Sequence, residues 1–386
     1  MRISVVGPTY PFRGGIAHYT TFMVRHLRAA GHVAPLYSFT RQYPRWLVSG
    51  RSDRDPSNTP LREDCEYILD PINPFTWWQL YRRVRTDHPD VLILQWWVPY
   101  WTPCLTAIAS MIKRNTKVKI IFICHNVVPH EGGGVIDRRL ALTVLRRGDA
   151  LIVHSEQDRY RLLALLPNAQ VIKAQIPSYG GLVRHDVRSR EVALRGELGI
   201  PERAQVLLFF GFVRPYKGLE YLIQAMALVR ERLPDTHLLV VGEFWTSPEF
   251  YQSYAHEFGV ESAMTVVNRY VPNEELQPYF DMADVVVLPY VSATQSAVVQ
   301  LAFGFGKPVI TTRVGGLYEV VEDGVNGLVV PPQDERALAD AIIRYFAEDL
   351  AASFGANVVA GAAHSFSWQE LVDTIEQAAR DLGVEA

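Results

Sequence analysis

The sequence predicts an α/β protein built from two doubly wound domains that face a central cleft. Strand-like apolar runs alternate with amphipathic runs along the chain, which is the pattern of parallel sheets covered by helices. A polar, charge-rich segment at 180–199 interrupts this alternation once, after which it begins again. A chain of 386 residues, 48% of them hydrophobic, is long enough for about two domains with large cores. We therefore expect one domain at 1–183 and a second at 184–365.

The elements follow in order from these runs. The first domain is predicted to contain strands at 2–6, 32–39, 66–69, 91–95, 119–124, 150–153 and 170–172. Amphipathic segments such as 16–30 and 159–166 lie between them and predict helices. The second domain is predicted to contain strands at 205–210, 237–241, 264–267, 285–288, 309–312 and 327–330, and a final helix is predicted at 368–382. Because helical segments separate the strands, both sheets are expected to be parallel.

One uncharged stretch, 91–112, is long enough to cross a bilayer. Pro99 and Pro103 interrupt it, and Gln95 lies within it. A buried parallel strand, an aromatic loop and a helix would give the same composition. We therefore predict no membrane span in this stretch.

The charge and the cysteine content indicate the compartment in which the protein acts and the partners that it does not bind. The formal net charge is -3, so no basic field would concentrate nucleic acid around the protein. Cys65, Cys104 and Cys124 lack the paired spacing of a zinc site or a disulfide framework. The N-terminal residues enter a strand directly, without the apolar and cleavage regions of a signal peptide. These features predict a cytoplasmic protein that does not bind nucleic acid.

The segment GPTYPFRGGI, 7–16, joins the first predicted strand to the first helix. Gly14 and Gly15 allow backbone N–H groups to approach an anion at the helix N-terminus. The spacing is not G-x-G-x-x-G, and no acidic residue follows the second strand to hold a dinucleotide ribose. The pattern therefore predicts a substrate contact but argues against a nicotinamide cofactor.

The segment GFVRPYKG, 211–218, occupies the corresponding turn of the second domain. Arg214 can present two parallel N–H groups to a phosphate, and Lys217 can add a point charge. Cations at the carboxyl edge of a sheet suit a diphosphate whose negative charge grows as a bond breaks. We therefore predict that Arg214 and Lys217 are catalytic.

The segment SATQSAVVQ, 292–300, lies between a predicted strand and a predicted helix. Its small residues leave backbone N–H groups accessible at a helix start, which favours an anion. The amide of Gln300, one turn farther in, could bond two sugar or ribose hydroxyls. The predicted substrate contacts of this segment are Ser292, Thr294, Gln295, Ser296, Ala297, Val298 and Gln300.

Two histidines follow the strand that ends at Cys124. His125 lies at the carboxyl end of this strand and His130 lies in the loop beyond it. A histidine at this edge could hydrogen-bond a transferred sugar or orient an acceptor, or it could be purely structural. The residues alone leave both histidines as candidates.

Aromatic residues are concentrated in the first domain. Trp96, Trp97 and Trp101 follow a predicted strand end, where an acceptor would lie in a two-domain transferase. Aromatic faces stack on sugar rings, dip into membrane interfaces or fill cores. The acceptor contact is the favoured interpretation, and core packing and membrane contact remain open.

Taken together, these motifs resemble those of glycosyltransferase family 4. The resemblance rests on the Gly-Gly loop, the Gly-x5-Lys-Gly turn, GKPVI at 306–310 and VGG at 314–316. It implies a GT-B fold and retaining transfer of a sugar from a nucleoside diphosphate without a metal. It also implies that Tyr270 and Val271, which begin YVPNEELQPYF, lie against the donor base. The resemblance also favours His125 over His130 as the functional residue, because the family often has a histidine after this strand. The terminal helix, within 366–386, is expected to cross back onto the first domain.

The chain departs from the family pattern at three positions. Phe212 stands where the family usually has Arg, and Ser292 and Gln300 stand where it has a Glu-x7-Glu pair. Arg214 could take over the phosphate contact, and Gln300 keeps a hydrogen-bonding carbonyl. In a front-face retaining mechanism the departing phosphate accepts the acceptor's proton, so neither carboxylate is required as the base.

We therefore predict a hexosyltransferase that uses a UDP- or GDP-sugar as a substrate and needs no cofactor. Its acceptor would be a glycan, a lipid-linked sugar or a small molecule, and the first domain could contact the inner face of the membrane peripherally. The alternative is a catalytically silent partner protein that binds a nucleotide sugar. An epimerase on the same fold would need cleft carboxylates, and Ser292 and Gln300 argue against it.

Overall fold

The computed structural model describes residues 1–44, 52–127, 134–182, 189–362 and 366–385, which form two compact units. The first unit contains the described parts of Met1–Asp55, Thr59–Pro177 and Phe366–Ala386. The second contains Pro56–Asn58 and the described part of Ser178–Ser365. The units divide at residue 177, whereas the predicted boundary between 183 and 184 lies outside the described residues. Residues just after 177 belong with the second unit because a Cβ on Gly304 would lie only 3.0 Å from the backbone N of Gly180.

The first unit is a seven-stranded parallel sheet with the strand order β3-β2-β1-β4-β5-β6-β7. The strands are β1 Ile3–Val6, β2 Leu36–Phe39, β3 Glu66–Leu69, β4 Val91–Trp96, β5 Lys119–Cys124, β6 Ala150–Val153 and β7 Gln170–Lys173. The helices between them are α1 Gly15–Ala29, α2 Pro74–Asp87, α3 Thr102–Asn115, α4 Val135–Leu145 and α5 Glu156–Leu165. Sequential order reverses between β1 and β4, where a crevice opens at the carboxyl edge of such sheets.

The second unit repeats this design with a six-stranded parallel sheet of order β10-β9-β8-β11-β12-β13. Its strands are β8 Gln205–Phe210, β9 Thr236–Val241, β10 Met264–Val267, β11 Val285–Leu288, β12 Val309–Thr312 and β13 Gly327–Val330. Its helices are α6 Ser189–Glu197, α7 Leu219–Arg232, α8 Pro248–Glu257, α9 Leu276–Met282, α10 Ala297–Gly304, α11 Glu335–Ala347 and α12 Leu350–Ala362. The order reverses between β8 and β11, so the loops that follow these two strands are neighbours.

The last helix, α13 Trp368–Asp381, returns to the first unit as expected. A capping box between Ser367 and Glu370 fixes its start. Trp368 stacks on Phe22 of α1, with ring centroids 5.3 Å apart. His32 Nε2 lies 2.9 Å from Glu376 Oε1 farther along the helix. These contacts hold α13 against α1.

The uncharged stretch 91–112 forms β4, a short 3₁₀ turn and most of α3, as predicted. Val91, Leu92, Ile93 and Leu94 are fully buried, as expected for a central parallel strand covered on both faces. Among the described helices, none is both long and apolar enough to cross a membrane.

The interpretation of Trp96, Trp97 and Trp101 as acceptor contacts is wrong. Their side chains are 1%, 5% and 0% exposed and belong to the core of the first unit. The ring of Trp101 lies 4.5 Å from that of Phe39, and Trp97 Nε1 donates a hydrogen bond to the hydroxyl of Tyr43. Indoles enclosed in this way are unavailable to a sugar ring or to a membrane.

Candidate active site

The reversal between β8 and β11 brings two predicted segments of the second unit together. The turn after β8 carries Arg214 and Lys217, and the segment 292–300 begins in the loop after β11. The backbone N–H of Val291 donates to the carbonyl of Tyr216 at 2.8 Å. A Cβ on Gly218 would lie 2.1 Å from the carbonyl oxygen of Pro289. Glycine at 218 is therefore required for the two loops to meet.

Lys217 is buried where these loops meet. Its side chain is 7% exposed, and its ammonium lies 5.4 Å from the centre of the Tyr290 ring. Gly211 leaves room for it, because a Cβ there would lie 2.9 Å from Nζ. Burial, with a smaller contribution from the charge of Arg214, lowers the pKa of Lys217 to about 7. Lys217 therefore loses its proton more easily than an ordinary lysine, and an adjacent anion would favour its charged form.

This pKa makes the stability of the second unit depend on pH. The folded pKa of about 7 lies below the ordinary value of 10.5, so between these values the unfolded chain holds a proton on Lys217 that the folded chain lacks. The unfolding free energy of the native protein should therefore rise with pH across this window, relative to Lys217→Met. We expect a relative gain on the order of 2 kcal/mol between about pH 6.5 and pH 9 in urea unfolding. Parallel pH profiles for the two proteins would contradict this pKa.

Arg214 lies against Trp245, which follows β9. Its guanidinium carbon is 3.9 Å from the centre of the Trp245 ring. Phe212 contacts the same indole, with ring centroids 5.5 Å apart and an interplanar angle of 66°. A cation over an aromatic face is attracted by the ring quadrupole. The structure therefore places Arg214, Lys217 and the aromatic Trp245 at one edge of the sheet.

The segment 292–300 is held by hydrogen bonds to its own helix and to the loop after β12. The hydroxyl of Ser296 caps α10 by accepting from the N–H of Val298 at 3.2 Å. The carbonyl of Thr294 accepts from the N–H of Gly316 at 2.8 Å, and Gln295 Nε2 donates to the carbonyl of Gly316. These bonds fix the backbone at the N-terminus of α10, the positive end of its dipole.

The other predicted contacts of this segment differ in exposure. Gln300 and Thr294 are 5% and 3% exposed, whereas Ser292, Ala297 and Val298 are partly exposed. The buried amide of Gln300 lies in α10 close to its N-terminus. Its role toward a ligand stays a prediction.

Tyr270 and Val271 follow β10, beside the turn that carries Phe212. The Tyr270 and Phe212 rings lie 6.1 Å apart, and Val271 is 5% exposed. The next turn is fixed by the hydroxyl of Ser57, which accepts from the N–H of Asn273 at 3.1 Å. The segment predicted to lie against a base is therefore contiguous with the aromatic cluster around Trp245.

In the first unit, Gly14 caps α1 and Gly15 is its first residue. Gly14 has a φ of 106°, and a Cβ there would meet nothing within 4 Å. Gly15 is exposed. The N-terminus of α1 is thus exposed, and its contact with a substrate stays a prediction.

His125 lies at the carboxyl end of β5 in a cluster of polar and aromatic side chains. Its Nε2 is 2.5 Å from Gln95 Oε1, and its ring lies edge-on to Tyr19 at 4.9 Å. The ring of His154 lies 5.2 Å away and accounts, after burial, for part of the lowering of the His125 pKa well below 6.5. His125 is therefore neutral near pH 7 and can act as a hydrogen-bond partner. His130 lies outside the described residues.

Sequence reasoning missed several residues of these sites. Trp245 and Tyr290 contact the two cations, while Gln95 and His154 surround His125. Only Gln95 had a signal of its own, a polar residue at the end of an apolar strand. Within the described ranges, no group of three or more His, Cys, Asp or Glu side chains is arranged to hold a metal ion.

Two family profiles match the chain, one in each unit. Residues 13–173 match "Glycosyltransferase Family 4", and residues 204–348 match "Glycosyl transferases group 1". The chain belongs to glycosyltransferase family 4. Both the turn with Arg214 and Lys217 and the segment 292–300 of this family 4 chain lie inside the second matched region.

Curated relatives of this family 4 chain are named D-inositol 3-phosphate glycosyltransferase. That of Corynebacterium urealyticum is 33% identical over 201 residues, which cover 50% of this chain and 47% of the relative. That of Nocardioides sp. is 31% identical over 307 residues, covering 73% and 65%. The match therefore spans about half to two thirds of these relatives.

Solved structures share the fold of the family 4 chain at low identity. Sucrose-phosphate synthase from Thermosynechococcus elongatus has a TM-score of 0.75 at 20% identity and covers all of both chains. Anabaena Alr3699/HepE in complex with UDP has a TM-score of 0.76 at 18% identity, covering 99% of this chain and 100% of that one. WaaG, a glycosyltransferase of lipopolysaccharide biosynthesis, has a TM-score of 0.66 at 17% identity, covering 98% and 99%. The chain has the GT-B fold.

Proposed function

We propose that this chain is a retaining, metal-independent hexosyltransferase. It moves a hexosyl group from a UDP- or GDP-sugar to a hydroxyl of a glycan, a lipid-linked sugar or a small molecule. The observation that carries the proposal is the pair of cations at the end of β8, Arg214 and the buried Lys217. Relatives named as glycosyltransferases support the reaction class, and the UDP-glucose complex of Anabaena Alr3699/HepE supports the donor class.

In the proposed reaction the bond between C1 of the donor sugar and the β-phosphate oxygen breaks. The nucleoside diphosphate leaves with the bonding electron pair, and negative charge grows on its terminal phosphate. Arg214 and Lys217 donate charge-assisted hydrogen bonds to that phosphate, so they stabilise the transition state more than the ground state. These two side chains supply the positive charge that a divalent cation supplies in other enzymes.

Retention follows if the acceptor hydroxyl attacks the face from which the phosphate departs. The hydroxyl proton passes to the departing phosphate oxygen, so no carboxylate base is needed. Ser292 and Gln300 then serve binding, with Gln300 bonding ribose or sugar hydroxyls through its amide. This mechanism accommodates the absence of the Glu-x7-Glu pair.

In the first unit, the proposed roles are hydrogen bonding and anion binding. His125, neutral near pH 7, accepts from or donates to a sugar hydroxyl. The open N-terminus of α1, with Gly14 and Gly15, favours a negatively charged or polar group of a substrate. Tyr270 and Val271 of the second unit contact the donor base.

We further propose that the protein acts in the cytoplasm or at the inner face of the membrane. Cys65, Cys104 and Cys124 are free thiols, which fits a reducing compartment. The buried tryptophans of the first unit do not contribute to a membrane contact, so such a contact would depend on other side chains.

Thermal unfolding with millimolar UDP, GDP, ADP or TDP tests the proposed donor class. A ligand at about 100 times its dissociation constant stabilises the folded protein by about 2.7 kcal/mol, which raises Tm by several degrees. We expect this shift with UDP or GDP, and slow hydrolysis of the matching nucleotide sugar. If no nucleotide shifts Tm and no nucleotide sugar is hydrolysed, the chain is not this transferase.

A further inference from the structure

Trp245 contacts two side chains of the turn that follows β8. Phe212 meets the indole at a centroid distance of 5.5 Å. The guanidinium carbon of Arg214 lies 3.9 Å from the indole centre. The chemistry proposed above assigns Arg214 a role but gives Trp245 none.

The backbone explains this arrangement. Beyond the ends of β8 and β9, Val213 and Phe244 form one further parallel bridge. The N–H of Val213 donates to the carbonyl of Glu243, and the N–H of Trp245 donates to the carbonyl of Val213, both at 2.9 Å. Side chains alternate along extended backbone, so residues 212 and 214 share one face. Trp245 reaches both because its backbone is bonded to the residue between them.

We propose that Trp245 is a positioning residue that holds the guanidinium of Arg214 in place for a diphosphate ligand. Arg214 thereby makes the phosphate contact that Phe212, at the usual arginine position of the family, cannot make. Arg214 lies two residues after Phe212, which corresponds to about 7 Å of extended chain. The long side chain of arginine can reach across this distance. The inference rests on the proposed function only in taking the diphosphate to be part of a nucleotide sugar.

The physical benefit is preorganisation. An arginine side chain has many rotamers, and fixing them when a ligand binds reduces affinity. The indole face restricts Arg214 before the ligand arrives, and it does so without neutralising the guanidinium. A carboxylate partner in the same place would compete with the phosphate for the guanidinium N–H groups. The aromatic partner leaves these groups available.

The pKa of Lys217 depends on the position of Arg214. Arg214 is the smaller of the two causes that lower the pKa of Lys217, burial being the larger. The ring of Tyr290 also faces Lys217, and burial raises the pKa of this phenol so that it stays uncharged. If Arg214 is released from Trp245, its effect on Lys217 weakens, and the pKa of Lys217 rises.

Inorganic pyrophosphate is the probe that isolates this contact, with binding measured by calorimetry on the full chain. We expect Trp245→Leu to weaken pyrophosphate binding about tenfold and Arg214→Met to weaken it about thirtyfold. In the Arg214→Met background, Trp245→Leu should add less than about twofold, because the two residues act as one unit. Trp245→Phe, which keeps an aromatic face, should retain affinity to within about threefold of the native protein.

Two further readouts separate positioning from general packing. The pH at which pyrophosphate binding is half lost should be higher in Trp245→Leu and in Arg214→Met than in the native protein. In both variants the positive charge of Arg214 lowers the pKa of Lys217 less, so Lys217 keeps its proton to a higher pH. Pyrophosphate also changes its own protonation state with pH, but this change is the same for every variant and cancels when the variants are compared. Trp78→Leu is the matched control: Arg82 lies 5.0 Å from that indole in the first unit, and pyrophosphate binding should not change.

Several outcomes would overturn the inference. These are additive losses in the double variant, an unchanged affinity in Trp245→Leu, or a Trp245→Phe variant that folds by circular dichroism yet binds as weakly as Trp245→Leu. Loss of uridine or guanosine binding in Trp245→Leu, with pyrophosphate unaffected, would instead assign Trp245 to the base. A native protein that binds pyrophosphate but transfers no sugar would overturn only the proposed function. A native protein that binds no pyrophosphate would overturn this inference, whereas nucleotide binding and nucleotide-sugar hydrolysis decide the proposed function.

Discussion

Lys217→Met should slow sugar transfer by at least about a hundredfold, with nucleotide binding affected far less. The reason is that, in the proposed mechanism, the ammonium faces a phosphate whose negative charge is greatest in the transition state. Methionine has nearly the same shape as the lysine stem, so the buried space beside Tyr290 stays filled. Initial rates of transfer and nucleotide dissociation constants, measured on the same protein, separate the two effects.

Lys307→Met is the matched control for this experiment. Lys307 is also largely enclosed, and its ammonium donates to the carbonyl of Asp281. Burial lowers the pKa of Lys307 as it lowers that of Lys217. Its removal should cost some stability but change the transfer rate less than about threefold, since Lys307 has no proposed contact with the phosphate. Equal losses of rate in both variants would refute the special role of Lys217.

Gly218→Ala should both destabilise the second unit and abolish nucleotide binding. The new Cβ would lie 2.1 Å from the carbonyl oxygen of Pro289, with a φ of 66° at residue 218. Backbone cannot move aside as a flexible side chain can, so the loops after β8 and β11 must separate. We expect a loss of at least about 3 kcal/mol in unfolding free energy, from strain and overpacking together.

Gly259→Ala provides the control, because Gly259 has the same φ of 66° and a Cβ there would meet nothing within 4 Å. It should lose only about 1 kcal/mol, the cost of a left-handed conformation for alanine. Nucleotide binding should be unchanged. Urea unfolding and calorimetric titration of the two variants measure the difference, and similar losses in both would mean that the contact with Pro289 is unimportant.

The sheets were predictable from sequence because buried parallel strands leave continuous apolar runs. Strands β5 and β8, for example, begin and end where the sequence predicts. The predicted strand 32–39 is shorter in the structure, since only Leu36–Phe39 forms a ladder and Val33 makes an isolated bridge to Arg2. The residue at which such a strand begins depends on which neighbouring strand pairs with it, and the local sequence pattern does not contain that information.

The candidate site was predictable in part. Arg214 and Lys217 have local signals, a glycine-flanked turn at the end of a strand, and the structure brings them beside the loop after β11. Trp245 has no such signal, because its contact with Arg214 depends on a strand pairing between distant parts of the chain. The aromatic residues before α3 were misjudged for the opposite reason. Their composition suits both a sugar and a core, and only packing decides between them.

The bridge between Val213 and Phe244 also determines how the cationic site is encoded along the chain. Strand β8, helix α7 and strand β9 form a single parallel crossover, and Phe212, Arg214, Lys217 and Trp245 lie in the loops that follow its two strands. The residues that hold Arg214 against Trp245 therefore all lie within the segment 212–245. Grafting this crossover with the loop after β9 into another family member should therefore transfer the arrangement of Arg214 and Trp245 at once, with Pro289 and the start of α10 as the surface to be matched.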